Sequence, residues 1–444
     1  MRQNFKPTLP SGFKDYLPED EKTRNRMLDV VKKNFELFGF LPLDTPAVEE
    51  ERTLTGGDPE FKKQIFRIKK EGQKEELALR FDLTVPLARV ISLYPNQISF
   101  PFKRYQVGKV WRGEKPQAGR YREFLQFDAD IVGSSKLSAD AEIISLINQV
   151  MVSLGFDNFL IKRNNRKILD FLPEYAGFSK DKLDPVLRTL DKLDKIGERE
   201  VFKELSSKKG AGLSSLESKA LLGFLNIEAK NNPELIKKAE EKLGKKASEE
   251  FFKMEKLAEL LKSLGLQDEK WVFDFSTVRG LSYYTGFVFE TVLLDMPEVG
   301  SVFSGGRYDG LISKMGGSNI PAVGVSLGVD RIMYAMKKLG IAAGFKNDKK
   351  ILVLDFDDQA FPNPEKAVSL LRRNGLPAEI YLGQEKTLKG QMAYALKNDY
   401  DLAIIIGERE AGKGSVTIKN FKTYKQTEID FSGLVSEVRK YIDE

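Results

Sequence analysis

A short stretch past the middle of the chain concentrates side chains that could bind a substrate. Residues 279–286 read RGLSYYTG, which places a permanent cation, Arg279, beside two tyrosines and several small residues, just ahead of the apolar run FVFETV. The chain has no histidine and no cysteine. Imidazole acid–base catalysis, thiolate chemistry and disulfides are therefore excluded, and the commonest zinc ligands are missing. Any chemistry at this site must use other groups.

Two distant stretches carry polar side chains in a strand-like pattern. Residues 102–130 read FKRYQVGKVWRGEKPQAGRYREFLQFDAD, which predicts two strands joined by a turn, and residues 324–331 read GVSLGVDR, a strand or turn that enters a helix. In the second strand of the pair, alternate residues share a face. The apolar face predicts core contact and consists of Tyr121, Leu125, Phe127, Ala129 and Ile131. The polar face is either solvated or part of a polar site and consists of Arg120, Arg122, Gln126, Asp128 and Asp130.

The elements that would position these stretches follow one another along the chain. Pro18 and the three acidic residues after it favour a helix start, and apolar residues at helical spacing extend this helix as far as Gly39. Residues 164–262 are rich in Lys, Glu, Leu and Ala with helical periodicity, which predicts an inserted helical module. After a lysine-rich linker, the segments ILVLDFD, PEKAVSLLRRNG, AEIYL, KGQMAYALKN and LAIII alternate strand and helix. This alternation is typical of an α/β unit with a mostly parallel sheet.

Length and charge bound the class of protein. The 444 residues suggest roughly three domains of about 150 residues each. A net charge of +6 permits an acidic partner such as nucleic acid but does not establish one. No apolar run approaches the roughly 20 residues that span a bilayer, and the N-terminus lacks the apolar centre of a secretory signal. We therefore expect a cytoplasmic protein with no membrane segment.

Two features resemble functional motifs without meeting their requirements. GEREAGKGS at 407–415 nearly matches a phosphate-binding loop, but a glycine occupies the Ser/Thr position and the strand-like SVTIKNF follows where a helix is required. We expect a hairpin turn there. Asp128 and Asp130 are paired acids, but without a supporting histidine or a loop of oxygen ligands they are no direct signal for a metal.

Taken together, the three stretches resemble the motifs of the histidyl-tRNA synthetase family, which belongs to the class II aminoacyl-tRNA synthetases. Residues 102–130 are similar to motif 2, residues 324–331 to motif 3, and GFKDYLPEDEKTRNRMLDVVKKNFELFGFLPLDTPAVEE at 12–50 to motif 1. RGLSYYTGFVFE is similar to a histidine-specific segment of the family, and LRFDLTVPLAR, IKRNNRKIL and GSVFSGGRYDGL also fit it. The resemblance runs essentially from end to end.

The resemblance implies a fold and a domain organisation. Residues 1–163 and 263–340 would form an α+β catalytic core with an antiparallel sheet. Residues 164–262 would be a helical insertion domain that clasps the acceptor stem of tRNA, and residues 348–444 an α/β anticodon-binding domain. Motif 1 usually forms a two-fold dimer interface in this class, so a homodimer is expected.

The resemblance also implies a reaction, the joining of L-histidine to tRNA(His) through a histidyl-adenylate, with ATP as substrate and Mg²⁺. The carboxylate that attacks the α-phosphorus is already anionic, so the step needs in-line positioning and cations rather than a protein base. By resemblance, Arg112 lies at the α-phosphate, Glu114 at the adenine amino group, Arg120 in the motif 2 loop and Arg331 at the γ-phosphate. Arg279 would lie between the carboxylate and the α-phosphate, which makes Arg279 and Arg112 the expected catalytic residues.

The same resemblance implies a histidine pocket. Asp82, Thr84 and Gln126 match the positions that accept the α-ammonium group. Asp130 and Tyr284 match the positions that face the ring nitrogens. Buried polar groups of this kind reject substrates that would leave them unpaired. The remaining histidine-binding residues are Arg279, Tyr308 and Tyr283, of which Tyr283 is expected mainly to pack.

Some positions depart from the family pattern. The family usually has an acidic residue after RGL, where this chain has Ser282, and the frequent FHQ before the pocket glutamine is FLQ here, with Leu125 on the apolar face. Two other functions remain open: a non-catalytic paralogue such as the regulatory subunit of ATP phosphoribosyltransferase, which usually lacks the C-terminal domain, and a binding-only sensor of tRNA-like molecules. The tRNA bases that are recognised, and the need for an extra 5′ guanosine, are also open.

Overall fold

The chain forms two compact units, residues 1–345 and residues 346–444, which we describe separately. The structure is a computed structural model and describes residues 6–56, 59–69, 72, 74–115, 121–207, 210–278, 284–345, 349–356 and 363–443. No helix in these ranges is long and apolar enough to cross a membrane.

The first unit is built on a large sheet with a small sheet beside it. The large sheet has the strand order β1-β5-β6-β11-β10-β9-β7-β8, and the small one has the order β2-β4-β3. In chain order the strands are β1 (Leu41–Pro42), β2 (Val48–Glu50), β3 (Phe66–Ile68), β4 (Leu77–Leu79), β5 (Phe102–Trp111), β6 (Glu123–Val132), β7 (Phe159–Asn165), β8 (Trp271–Phe273), β9 (Phe287–Leu293), β10 (Phe303–Arg307) and β11 (Ala322–Gly328).

The large sheet is antiparallel through its centre. The pairs from β5 across to β7 are all antiparallel, whereas the two edge strands, β1 and β8, pair in parallel with their neighbours. The predicted α+β core with an antiparallel sheet is thereby confirmed, with parallel pairing added at both edges.

Helices cover this sheet and fill the region between β7 and β8. In chain order they are α1 (Pro18–Leu37), α2 (Glu51–Thr55), α3 (Pro59–Gln64), α4 (Thr84–Leu93), α5 (Leu137–Ser153), α6 (Arg166–Leu169), α7 (Leu172–Ala176), α8 (Leu183–Leu190), α9 (Leu193–Ser206), α10 (Ser215–Leu225), α11 (Asn232–Leu243), α12 (Ser248–Ser263), α13 (Leu311–Lys314) and α14 (Val329–Lys338). The helices after β7 share one continuous hydrophobic core with the sheet and with α1 and α5. The division of this unit into a core and an insertion domain stays a prediction.

The first helix forms as its sequence predicts. Pro18 occupies the first turn, where its missing N–H costs nothing, and three acidic residues follow it at the positive end of the helix dipole. Met27, Val31 and Phe35 recur at helical spacing and are fully buried. This helix therefore packs its apolar face on the large sheet, where Phe35 contacts the ring of Phe127 with centroids 4.7 Å apart.

The second unit is an α/β domain with its own sheet and core. Its sheet has the order β13-β12-β14-β15-β16, parallel among the first three strands and antiparallel among the last three. The elements are β12 (Ile351–Val353), α15 (Pro364–Arg373), β13 (Ala378–Ile380), α16 (Leu388–Lys397), β14 (Leu402–Ile405), α17 (Glu408–Lys413), β15 (Ser415–Asn420), β16 (Gln426–Asp430) and α18 (Leu434–Asp443). The predicted α/β alternation is confirmed, but the sheet is not mostly parallel, since two of the four strand pairs described are parallel and two are antiparallel.

One prediction in this unit is wrong in detail. The segment at 407–415 does connect two neighbouring antiparallel strands, but it contains the short helix α17 instead of a tight hairpin turn. Glu410 explains the helix, because its side chain accepts a hydrogen bond from the Gly407 N–H at 3.2 Å and caps the first turn. Gly414 then ends the helix in the left-handed conformation, with φ 69°.

Candidate active site

The site is assembled where β5, β6 and β11 lie side by side. Arg104 of β5 is opposite Asp130 of β6, and Gly324 of β11 is opposite the same aspartate from the other side. A Cβ atom at position 324 would lie 1.8 Å from Oδ1 of Asp130. The carboxyl group therefore occupies space that only a glycine leaves open.

The polar face of β6 is buried. Gln126, Asp128 and Asp130 are 7%, 2% and 2% exposed, whereas Phe127 and Ala129 on the opposite face belong to the hydrophobic core. Of the two alternatives left open by the sequence, the structure excludes the solvated face. A buried row of amide and carboxyl groups needs partners, either from the protein or from a ligand.

Asp130 has two protein partners. Nη2 of Arg104 lies 2.7 Å from Oδ2 of Asp130, and the Tyr308 hydroxyl donates a hydrogen bond to Oδ1. Burial raises the pKa of Asp130, and Arg104 and Tyr308 lower it. Burial and the neighbouring Asp130 also raise the pKa of Tyr308 well above its usual value, so the hydroxyl keeps its proton and remains a donor.

Arg104 is a site residue that the sequence did not reveal. It is fully buried, and besides its ion pair with Asp130 it donates a hydrogen bond from Nη2 to the Leu83 carbonyl at 3.1 Å. Its Nε and Nη1 have no hydrogen-bond partner among the described residues. In the sequence a single arginine in a strand looks like a surface residue, and only the register of β5 against β6 would have singled it out.

Asp82 and Thr84 lie together at the start of α4. Oδ1 of Asp82 accepts a hydrogen bond from the Val85 N–H at 3.1 Å, which caps the helix, and Thr84 is its first residue. Oδ2 of Asp82 is buried without a partner in the described structure. Burial raises the pKa of Asp82 to about 6, against the opposing effect of Arg112 and Arg104.

Gln126 is held by its amide nitrogen. Nε2 donates a hydrogen bond to Oγ of Ser326 on β11 at 2.8 Å, and Oε1 is buried without a partner among the described residues. Oδ2 of Asp82 is a second such acceptor on a residue predicted to bind the ammonium group. Oδ1 of Asp128 and Oδ2 of Asp130 also have no hydrogen-bond partner among the described residues, although Oδ2 of Asp130 is ion-paired with Arg104. Two such acceptors suit a ligand that brings N–H groups.

Arg112 lies beside these acids at the end of β5. Its Nε donates to the Phe81 carbonyl at 3.0 Å, and its guanidinium group lies over the Phe124 ring, 5.1 Å from the centroid. Its charge lowers the pKa of Asp82, so the two groups are electrostatic neighbours. Glu114, two residues on, is half-buried, and its carbonyl accepts a hydrogen bond from Nε of Arg122 at 3.2 Å.

Arg331 is in the first turn of α14, which follows β11. Its Nη1 donates to the Ser301 carbonyl at 2.5 Å. The preceding residue, Asp330, accepts hydrogen bonds from the Tyr16 hydroxyl and from the Leu125 N–H, the latter at 3.3 Å. Asp330 thus connects the segment before α1 and the strand β6 to the start of α14 through hydrogen bonds. These bonds hold the backbone next to Arg331 in place.

Tyr284 lies against β10. It packs against the cluster that contains Tyr308, and a Cβ atom at Gly306 would lie 2.9 Å from its ring. The structure therefore brings Asp82, Gln126, Asp130, Tyr284 and Tyr308 into one region with Arg112. Three predicted site residues, Arg120, Arg279 and Tyr283, lie outside the described residues, as does the variant position Ser282. The roles of all the predicted site residues stay predictions.

Comparison with known proteins agrees with the geometry. A mainly antiparallel sheet that carries buried acids, a strand-end arginine and a helix-borne arginine is the core of a class II aminoacyl-tRNA synthetase. Residues 12–332 match the family model described as histidyl-tRNA synthetase, and residues 347–441 match the model described as anticodon binding domain. The chain belongs to the histidyl-tRNA synthetase family, as the sequence motifs predict.

Relatives match over nearly the whole chain. A protein of Wolinella succinogenes named histidine–tRNA ligase is 40% identical over 420 residues, which covers 94% of each chain. A protein of the same name from Clostridium tetani is 38% identical over 441 residues and covers 98% of each. The crystal structure of histidyl-tRNA synthetase from Nostoc sp. PCC 7120 superposes with a TM-score of 0.83 at 29% identity, over 99% of this chain and 100% of that one.

Proposed function

We propose that this protein ligates L-histidine to tRNA(His) at the expense of ATP, through a histidyl-adenylate. The observation that carries the proposal is the group of buried polar side chains in which Asp82 and Gln126 offer unpaired acceptors, while Asp130 is held by Arg104 and Tyr308. It lies beside Arg112, in a chain whose relatives are named histidine–tRNA ligase.

The first step joins histidine to AMP. The carboxylate of histidine attacks the α-phosphorus of ATP, the bond to the β-phosphate oxygen breaks, and pyrophosphate leaves with the electron pair of that bond. We assign the α-phosphate to Arg112 and Arg279, the γ-phosphate to Arg331 and the adenine amino group to Glu114, with Arg120 on the phosphates. Fixed guanidinium groups stabilise the charge that develops on the equatorial oxygens, and no proton has to be removed from the nucleophile.

The amino acid is recognised at its two polar ends. The α-ammonium group would donate to Oδ2 of Asp82, Oε1 of Gln126 and the Thr84 hydroxyl. The ring would bind between Asp130 and Tyr284, with Tyr308 holding Asp130 and Tyr283 packing alongside. A phenylalanine or leucine side chain would leave Asp130 without its ligand partner, and unpaired buried groups of this kind reject an analogue strongly.

The second step transfers the histidyl group to the terminal ribose of tRNA(His), and AMP leaves. We assign anticodon recognition to the second unit and contact with the acceptor stem to the helices between β7 and β8. Mg²⁺ would enter with ATP, because protein-bound Mg²⁺ commonly keeps substrate phosphates among its ligands. No group of three or more acidic side chains with metal-binding geometry occurs among the described residues.

We also propose a homodimer that works in the cytoplasm, where tRNA is charged. Leu17, Leu37, Leu41 and Val48 in the motif 1 segment are 72%, 76%, 58% and 39% exposed. Large apolar side chains at this density favour a partner surface, and a second copy of the motif 1 segment would bury them. The proposed domains are 1–163 with 263–340, 164–262 and 348–444.

The test is the charging of tRNA. Incubation with labelled histidine, ATP and tRNA(His) transcript should give acid-precipitable histidyl-tRNA, and omission of ATP should abolish it. A transcript with and without the extra 5′ guanosine answers the question of recognition. Folded protein that charges no tRNA but binds it would support the sensor function instead, and protein that binds histidine without forming an adenylate would support a regulatory paralogue.

A further inference from the structure

A row of polar side chains crosses from β6 to β11 and includes Gln126, which we assign to the substrate's ammonium group. Ser326 lies directly opposite Asp128 in the antiparallel register, so the two side chains share a face. Nε2 of Gln126 donates to Oγ of Ser326 at 2.8 Å. The Ser326 hydroxyl lies close enough to the Asp128 carboxylate to lower its pKa, and Oδ1 of Asp128 is buried without a hydrogen-bond partner among the described residues. Neither Asp128 nor Ser326 has been assigned a role in the reaction above.

The direction of these bonds is fixed by the number of protons available. A hydroxyl has one proton to donate and two lone pairs that accept. Ser326 accepts from Gln126, so its one proton is available to the Asp128 carboxylate, which can only accept when it is ionised. That arrangement holds the nitrogen end of the amide on β11 and leaves Oε1 free, which agrees with the unpaired Oε1 of Gln126.

We propose that Asp128 and Ser326 act as positioning residues that orient the Gln126 amide. When Asp128 is ionised, Gln126 presents its Oε1 acceptor to the substrate's ammonium group. When Asp128 is neutral, Gln126 presents its NH₂ donors instead. A protonated Asp128 can donate to Ser326, whose own proton then points to Gln126. The Gln126 amide then rotates so that Oε1 accepts from Ser326 and the NH₂ group faces the substrate's ammonium group, which is unfavourable. The inference rests on the proposed function, because it assumes that this pocket binds histidine.

The burial of Asp128 and the charged groups around it determine the pH at which its carboxyl group ionises. It is faced by Arg104 of β5, by Asp130 of its own strand and by Asp82 ahead of α4, and it interacts with Arg80 of the segment before Asp82. Burial, with smaller contributions from Asp130 and Asp82, raises the pKa of Asp128 to about 7 against the opposing effects of Arg104 and Ser326. The ionised form is therefore lost as the pH falls through about 7, and histidine affinity should fall with it.

The experiment measures histidine affinity for the full chain by calorimetry and the Michaelis constant in histidine-dependent pyrophosphate exchange. At pH 8, Asp128→Asn and Ser326→Ala should each raise the Kd for histidine about tenfold, the effect of one hydrogen bond to a charged group. The turnover at saturating histidine and the Michaelis constant for ATP should change less than about twofold, since the lost interaction is made equally before and during the reaction. Ser326→Thr keeps the hydroxyl and should retain most of the affinity.

Two comparisons distinguish a relay, in which Asp128 acts on Gln126 through Ser326, from a general electrostatic effect of removing the Asp128 charge. If the two residues act in one relay, the effects of their substitutions should not be additive. The double variant should then lose about tenfold in histidine affinity rather than about a hundredfold. The penalty should disappear for imidazolepropionate, which has the ring and the carboxylate but no ammonium group. Between pH 8 and pH 6 the wild-type Kd should approach that of Asp128→Asn, because Asp128 becomes neutral at low pH and asparagine is neutral throughout. Histidine also titrates in this range, but its titration affects both proteins equally and cancels in the ratio of the two Kd values.

The outcomes distinguish the relay from the function on which it rests. Additive penalties, an equal penalty with imidazolepropionate, or parallel pH profiles for the wild type and Asp128→Asn would overturn the relay while leaving the synthetase function intact. A wild-type protein that neither binds histidine nor supports exchange would instead overturn the proposed function. Thermal unfolding of each variant verifies the fold, and if Asp128→Asn is unstable, Ser326→Ala against Ser326→Thr gives the same decision.

Discussion

Asp130 is the residue to which we attribute the selectivity of the proposed histidine pocket. Its carboxyl group is buried, is paired with a fully buried arginine, and receives a hydrogen bond from Tyr308. Such a group is costly to leave without partners, so each neighbour that holds it contributes to the binding of a ring with polar nitrogens. Tyr308 is the simplest of these neighbours to remove, since phenylalanine keeps the ring and loses only the hydroxyl.

Tyr308→Phe should raise the Michaelis constant for histidine about tenfold, because Asp130 loses a charge-assisted hydrogen bond. The constant for ATP should be unchanged in the exchange assay. The matched control is Tyr105→Phe on β5, a buried tyrosine whose hydroxyl donates to Glu36 at 2.8 Å on the core side of the sheet. Equal effects of the two substitutions would contradict a specific role for Tyr308.

Arg163 of β7 is a buried arginine of a different kind. It is fully buried, its three guanidinium nitrogens have no hydrogen-bond partner in the described structure, and its guanidinium group lies over Trp271 and Phe273, 3.4 Å and 4.3 Å from the ring centroids. Stacking recovers only part of the cost of removing a charge from water. Burial accordingly lowers the pKa of Arg163 well below its usual value.

Replacing Arg163 by methionine should therefore raise the free energy of unfolding by about 1–3 kcal/mol, as measured by urea denaturation. Arg104→Met is the matched contrast, because Arg104 is equally buried but pairs with Asp130. Arg104→Met should lower the free energy of unfolding by about 3–5 kcal/mol, since it leaves the buried Asp130 carboxylate without its charged partner. A loss of stability on removing Arg163 would show that its stacking outweighs its desolvation.

At the scale of elements, the site depends on strand register. Residues 104, 130 and 324 meet because β5, β6 and β11 align, although β11 is almost 200 residues from β6 in the chain. Gly324 is the position at which this alignment is tightest, with Asp130 1.8 Å from where a Cβ would lie. Glycine here is a requirement of the site rather than of a turn.

Gly324→Ala should reduce histidine-dependent exchange about a hundredfold or more, because the added methyl group displaces the Asp130 carboxyl group from its productive position. Gly223→Ala is the control: it lies inside α10, and a Cβ there would meet nothing within 4 Å. That variant should keep full activity and gain about 0.5–1 kcal/mol of stability. Normal exchange by Gly324→Ala would argue against the position assigned to the histidine ring.

The elements themselves were largely predictable, whereas their register was not. Helix α1, the strand pair β5–β6 and the alternation of the second unit follow from Pro18, from the alternate apolar residues and from the spacing of apolar runs. Arg104 was missed because nothing local shows which strand will lie beside it. The short helix at 408–413 was missed because a glycine-rich segment between strands favours a turn, and the cap from Glu410 that stabilises the helix is a contact of the folded chain.

At the scale of the whole molecule, activation and tRNA recognition are expected to reside in different units. The described residues of the candidate site all belong to the first unit, and the second unit has its own sheet and core. Residues 347–441 match the anticodon binding domain. The first unit should therefore be able to form the adenylate from its own residues.

Removing residues 346–444 should leave histidine-dependent exchange within about tenfold of the full chain and lower the charging of tRNA(His) by about a hundredfold or more, through loss of phosphate and base contacts. Exchange and charging are measured on the same preparation, with circular dichroism to verify folding. If exchange and charging fell together in a folded truncated protein, the two activities would not be separable by unit.

The central claim is that guanidinium groups and buried carboxyl groups activate histidine in a chain that contains no histidine of its own. Pyrophosphate exchange into ATP, measured with each of the twenty amino acids in turn, tests it most directly. We expect exchange with histidine alone, at a rate that Arg112→Ala lowers sharply. Exchange with another amino acid in preference to histidine, or none at all from the folded protein, would contradict it.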